Sequence, residues 1–236
     1  FLAGVNFSLH FQALRGRVGG YFRSEEFRFY LGVLATSALV VFLFNFRVYQ
    51  DPLTNLRDSA FQVTSLMTTT GYGTAYYELW PVLAQYILVG LMFVGGCAGS
   101  TGGGMKNVRV LLLVKHSFLQ LSRLIHPRRV RLLKIDQRTV SDEVIQSILG
   151  FFALYIGIFV FASLGMAALG VDLVTAGASV IACLSNIGPG LGQVGPTDNF
   201  ANLPEAGHVL LSFCMLVGRL EVFTVLVLIF PSFWRK

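Results

Sequence analysis

From Tyr30 to Val48 the chain reads YLGVLATSALVVFLFNFRV, and about 19 residues of apolar helix are enough to cross the hydrocarbon core of a bilayer once. Comparable runs extend from Leu79 to Val114, Val144 to Gly170 and Ala206 to Phe230. Runs of this length confine the fold, because every backbone polar group at membrane depth must be paired without help from water. Charged residues make up only 13% of the chain, about half the share of a soluble domain. The expected class is an all-α integral membrane protein crossing the bilayer several times. The first residues, FLAGVNFSLHF, look like the tail of an apolar helix, so a longer polypeptide is expected on that side.

The net charge of +6 is explained by where the charges fall. Arg15, Arg17, Arg23 and Arg28 precede the first span. Arg109, Lys115, Arg123, Arg128, Arg129, Arg131, Lys134 and Arg138 crowd one central connection, and Arg235 and Lys236 end the chain. The remaining connections carry mainly Asp51, Asp58, Glu78, Asp172, Asp198 and Glu205. Basic loops stay on the cytoplasmic side, so the acidic connections face outward. Nucleic acid is not needed to account for the basicity. Cys97, Cys183 and Cys214 lie far apart in apolar segments and suggest neither a zinc site nor a disulfide framework. The four histidines form no Ser/His/Asp set, and no enzyme chemistry is expected.

Two stretches do not fit a plain bundle of spans. A segment from Asp58 to Met67, with Asp58 as its cap, is about ten residues and reaches roughly 15 Å, half a bilayer. It runs into MTTTGYGTAYY (Met67 to Tyr77). The second half repeats the plan: Asp172 to Leu184 is a short helical segment ending in SNIGPGLG (Ser185 to Gly192). A half-span that returns to its own face needs an extended return segment, tolerated only when buried in protein or lining a water-filled cavity. Inward-facing carbonyls there can replace the water shell of a cation. Glycine supplies the backbone angles that aim them, and the short helix points its negative end at the same place. TTTGYG is one residue from the TVGYG of potassium channels. Thr69, Thr70, Gly71 and Tyr72, with Asn186, Ile187, Gly188 and Pro189 opposite, are the candidate potassium ligands, and no transition metal is expected. Two ordinary glycine-rich turns are the alternative.

The run from Leu79 to Val114 is broken by GGCAGSTGGGMK (Gly95 to Lys106). It fails as a nucleotide-binding P-loop, because Met105 stands where the lysine belongs and Asn107 where Ser or Thr belongs. Its glycines weaken a helix by about 1 kcal/mol each relative to alanine, so a flexible break below the filter is expected. Close helix packing through small residues is the other possibility. Gly71 lies as far before Gly102 as Gly188 lies before Arg219, which places Arg219 near the depth of Gly102. A charge mid-span costs at least about 2.5 kcal/mol and marks a cavity or a partner. Glu221, two positions on, points elsewhere on a helix and is a poor mate for it. Arg219 is expected either to form part of a cation barrier or to make a structural salt bridge.

The segments MTTTGYGT, GGCAGSTGGGMKNVRVLLLVK, SNIGPGLG and GRLEVFTVLVLIFPSFWRK, in that order, resemble the C-terminal half of a TrkH-type subunit of the Trk/Ktr/HKT potassium-uptake superfamily. The resemblance implies tandem span–pore helix–filter–span repeats of potassium-channel type. Residues 1–29 would be the end of the preceding repeat and a cytoplasmic linker. Residues 30–115 would form the third repeat, with its filter at 69–73 and the intramembrane loop at 95–106. Residues 116–142 would be a basic cytoplasmic linker, and 143–236 the fourth repeat with its filter at 186–190. The function implied is potassium uptake, gated by Gly99, Ser100, Thr101, Gly102, Gly103 and Gly104 with Lys106 and Arg219. Asn186 and Ile187 depart from the threonine-rich pattern, which leaves backbone carbonyls as the ligands in that quarter. A carrier of a small solute at the bilayer midplane and a non-conducting scaffold are the competing functions.

The partners implied are the N-terminal half of the same polypeptide, a second copy in a homodimer, and a cytosolic nucleotide-binding regulatory subunit of TrkA type acting on the inner end of the broken helix. The basic connection could also meet anionic membrane lipid. No cofactor is expected, potassium being the substrate. The location implied is a bacterial inner membrane.

Overall fold

A computed structural model describes residues 1–126, 132–229 and 231–234. Arg128, Arg129 and Arg131 of the basic connection, Phe230, and Arg235 and Lys236 of the tail lie outside the described residues. Two short helices, α1 (Phe7–Leu14) and α2 (Gly19–Arg23), lead into α3 (Glu25–Phe44). Ser24 opens α3 by accepting the Phe27 N–H, and Glu25 and Glu26 occupy its first turn, where the helix dipole favours negative charge. With the short 3-10 turn that follows, this span runs 23 residues, and its most apolar stretch has a mean hydropathy of 2.0.

The next helix corrects one expectation. α4 runs Pro52–Met67, 16 residues and not about ten, and its cap is Asp51, not Asp58. Asp51 accepts the N–H groups of Leu53 and Thr54 at 3.3 and 2.9 Å. Pro52 occupies the first turn, where its missing N–H is no loss. The Asp-Pro pair thus starts the helix, and Asp58 becomes a buried residue within it. α5 (Val82–Val94) follows, about 20 Å long by its rise. The chain is then non-helical from Gly95 to Lys106 and resumes as α6 (Asn107–Ile125).

A two-stranded antiparallel hairpin, β1 (Lys134–Ile135) with β2 (Arg138–Thr139), precedes the second half. α7 (Asp142–Ala168) is the longest helix described, at 27 residues, and its most apolar stretch has a mean hydropathy of 2.3. α8 (Leu173–Leu184) is capped by Asp172, which accepts the Thr175 N–H at 3.0 Å. The last expected span is not one helix. α9 (Glu205–Arg219) and α10 (Val222–Ile229) meet at 114°, and α11 (Pro231–Trp234) closes the described chain. The break falls at Glu221, whose φ of 66° is left-handed. Gly218 stands just before it, where a Cβ would lie 1.8 Å from the Leu184 carbonyl oxygen, but the apolar run around it conceals the bend in the sequence.

α4 packs between α3 and α5, and α8 between α7 and α9, so each half holds one helix between two others. Contact between α5 and α8 joins the halves. Both short helices therefore end inside the molecule, at Met67 and Leu184, each a fully buried side chain.

Candidate functional site

The two short helices end in the same way. Thr69 and Asn186 follow them in left-handed backbone, with φ of 55° and 54°. The Thr69 N–H reaches the Leu66 carbonyl at 3.2 Å and the Thr70 N–H the Ser65 carbonyl at 2.9 Å. At the same offset, Asn186 donates to Cys183 at 3.0 Å and Ile187 to Ala182 at 2.8 Å. This is the Schellman termination, usually built on glycine. A β-branched threonine is an outlier there, and such strain clusters where function needs it. Two residues on, Gly71 and Gly188 are left-handed as well, at 78° and 112°.

These dihedrals leave a row of carbonyls without protein partners. Among the described residues no hydrogen bond reaches the carbonyl oxygens of Thr69, Thr70, Gly71, Asn186, Ile187, Gly188 or Pro189. Tyr72 differs: its carbonyl accepts from Ser65 Oγ at 2.6 Å. The side chains of Thr69, Thr70 and Asn186 are engaged elsewhere. Thr70 Oγ1 pairs with Thr68 Oγ1 at 2.8 Å, Thr69 Oγ1 accepts the Gly103 N–H at 2.6 Å, and the Asn186 amide donates to the Met215 carbonyl at 3.2 Å. The strands also abut across the halves, since a Cβ at Gly71 would lie 2.0 Å from the Ile187 carbonyl oxygen.

The glycine loop sits directly against this pair of strands. Besides the Gly103–Thr69 bond, a Cβ at Gly103 would stand 2.1 Å from the Ser185 carbonyl oxygen. The loop's own glycines approach as closely: a Cβ at Gly95 would meet the Gly103 carbonyl oxygen at 2.3 Å. The glycines break the helix, and the close approaches they allow are of loop backbone to backbone, not of helix to helix. Overpacking here costs about 1–3 kcal/mol, so Gly103→Ala is expected to lower the thermal midpoint of the purified protein. Gly90→Ala in α5, where a Cβ meets nothing within 4 Å, is expected to leave it unchanged or raised. Differential scanning fluorimetry of the two variants checks the contrast.

Beneath the loop is a cavity of about 310 Å³ lined by Ser100 to Gly104, Lys106, Arg109, Tyr155 and Arg219. The predicted gate residues Ser100 to Gly104, Lys106 and Arg219 thus share one space; Gly99 lies beside it, packed near the Asn6 side chain. Lys106, at φ 72°, turns its ammonium onto the Gly102 carbonyl. Arg219 ends α9 and forms no ion pair among the described residues. Glu221 is indeed not its mate. Its carboxylate meets Arg109 of α6 at 2.7 Å, and that guanidinium also lies 4.0 Å over the Phe151 ring.

Several residues that hold the site were missed in the sequence. Glu26, buried at the start of α3, accepts the Ala98 N–H of the loop at 2.6 Å. Asn107 donates to the Gly95 carbonyl at 2.6 Å and so closes the loop on itself. Asp58, Gln62 and Ser65 are buried on α4. A signal existed for this last group: polar residues spaced four and three apart in a helix at membrane depth must face something polar.

The comparisons with known proteins agree along the whole chain. A family model named TrkH and described as a cation transport protein matches residues 1–236. The Trk system potassium uptake protein TrkH of Salmonella typhimurium is 42% identical over 238 residues, which cover 100% of this chain and 49% of that protein. The TrkH of Escherichia coli K12 matches to the same extent, 42% over 238 residues. The crystal structure of the potassium transporter TrkH from Vibrio parahaemolyticus superposes with a TM-score of 0.92 at 38% identity, over 99% of this chain and 51% of that one. The chain spans about half the length of the curated relatives it matches. With the family matched from Phe1 to Lys236 and the same helical membrane fold in place, this chain belongs to the TrkH family of cation transport proteins.

Proposed function

We propose that the polypeptide carrying this chain conducts potassium ions inward across a bacterial inner membrane, through a pore to which this chain contributes two repeats. Residues 30–115 and 143–236 are those repeats, and the basic residues 116–142 between them lie on the cytoplasmic side. The carbonyls of Thr69, Thr70 and Gly71 and those of Asn186, Ile187 and Gly188 hold the ion, with Tyr72 and Pro189 closing the outer end. The loop from Gly99 to Gly104, with Lys106 and Arg219, obstructs the path just beneath.

One observation carries this function: a set of carbonyl oxygens at membrane depth, in both repeats, accepts no hydrogen bond from the described protein. Unpaired polar groups in such a place cost several kcal/mol unless something else pairs with them. A dehydrated cation supplies that pairing, and each short helix directs its negative end toward it. Relatives named for potassium uptake support the choice of ion. The remaining ligands belong to the N-terminal half of the same polypeptide. A second copy, anionic lipid and a cytosolic nucleotide-binding subunit of TrkA type are the proposed partners.

Reconstitution of the whole polypeptide into liposomes tests the proposal. Potassium flux exceeding sodium flux under equal gradients is the expected result. Equal flux of both ions, or flux of neither, would count against it and favour a solute carrier or a non-conducting subunit.

A further inference from the structure

Asp58, Gln62 and Ser65 lie four and three positions apart on α4 and so share one helix face. Each reaches the strand that climbs outward from the filter. Ser65 Oγ donates to the Tyr72 carbonyl at 2.6 Å, Gln62 Nε2 donates to the Ala75 carbonyl at 3.0 Å, and Thr74 Oγ1 donates to Asp58 Oδ1 at 3.4 Å. Ser65 holds the strand a second way, because its own carbonyl accepts the N–H groups of Thr70 at 2.9 Å and Gly71 at 3.4 Å. Gln62 is wholly buried and Ser65 is 4% exposed. Polar side chains in such a place are unfavourable unless bonded; Gln62 is bonded through Nε2, its Oε1 having no partner among the described residues, and the bonds that are made hold the strand to α4.

The fourth repeat lacks the innermost of these fastenings. At the equivalent offset it carries Thr175, Ser179 and Ala182. Thr175 Oγ1 accepts the Gln193 N–H at 3.0 Å, Ser179 turns back to the Ala176 carbonyl at 3.1 Å, and Ala182 has no hydroxyl. That return segment is held by its own repeat only farther out, at Gln193, and nearer the filter from across the molecule, where the Tyr77 hydroxyl donates to the Gly190 carbonyl at 2.7 Å.

We propose that Ser65 and Gln62 are positioning residues that set the ion selectivity of the filter. They fix the Tyr72 and Ala75 carbonyls against α4, and the intervening turn then presents the Thr70 and Gly71 carbonyls at a spacing that cannot contract around a smaller cation. The inference rests on the potassium-filter function proposed above. It predicts an uneven filter, tightly held in the third repeat and more compliant in the fourth.

The test is the ratio of potassium to sodium flux in liposomes holding the whole polypeptide, unmodified and as Ser65→Ala, Ser65→Thr and Gln62→Met, each checked for an unchanged thermal midpoint. Losing one such bond is expected to lower the ratio about tenfold in Ser65→Ala. Gln62→Met should fall in the same direction, and Ser65→Thr, which keeps the hydroxyl, should restore the ratio. A folded Ser65→Ala or Gln62→Met variant with the unmodified ratio overturns the inference while leaving the filter in place. An unmodified protein without potassium preference overturns the filter itself and this inference with it.

Discussion

Gly71→Ser is expected to abolish most of the potassium preference, and to do so far more severely than the matching change at Gly188. Gly71 has a φ of 78°, where an L-residue is strained by roughly 1–2 kcal/mol. Space makes the larger difference. A Cβ there would stand 2.0 Å from the Ile187 carbonyl oxygen, so one strand or the other must move. Either movement displaces carbonyls of both repeats at once. A shift that removes about 1.4 kcal/mol of discrimination lowers the flux ratio tenfold, and Gly71→Ser is expected to do at least that. Gly188 has a φ of 112° but open space around its Cα, since a Cβ would meet nothing within 4 Å. Gly188→Ser therefore carries the backbone strain without the collision. Parallel flux measurements on the two variants should rank Gly71 as the more sensitive. The opposite ranking would mean that the two strands do not abut in the conducting protein.

Removing the charge at Arg219 is expected to raise potassium flux. The side chain lines the cavity under the glycine loop and forms no ion pair among the described residues; Glu221, which lines the same cavity, is paired with Arg109. At an effective dielectric constant near 20, a fixed unit charge about 8 Å from a passing cation raises its energy by roughly 2 kcal/mol. Relieved of that barrier, Arg219→Ala should conduct about thirtyfold faster, whereas Arg219→Lys, which keeps the charge, should stay close to the unmodified rate. Stopped-flow flux in liposomes separates the two. If Ala and Lys behave alike, the residue acts through packing and not through its charge.

Much of this arrangement was legible in the residues. The apolar runs gave the spans at α3 and α7, and Asp172 gave the start of α8, because capping and hydropathy act locally. The glycines at 71 and 188 marked left-handed backbone for the same reason. Errors arose where local signals competed. Asp58 looked like a cap because it stood before an apolar stretch, but Asp51 with Pro52 supplies the stronger start. The bend between α9 and α10 had only Gly218 as a local sign, and Glu221 adopts its left-handed φ with its carboxylate tied to Arg109, far away in sequence. Long-range partners of that kind leave no periodic trace. The grip of Ser65 on Tyr72 sits between these cases: its helical spacing was visible, and the strand it holds was not.

The most direct measurement is anomalous scattering from rubidium-soaked crystals of the whole polypeptide, with Gly71→Ser crystals as the comparison. The account predicts an anomalous peak bounded by the Thr70 and Gly71 carbonyls on one side and the Ile187 and Gly188 carbonyls on another, weakened or absent in the variant. A peak elsewhere in the membrane region, or none between those strands, would contradict a carbonyl-lined filter at this place.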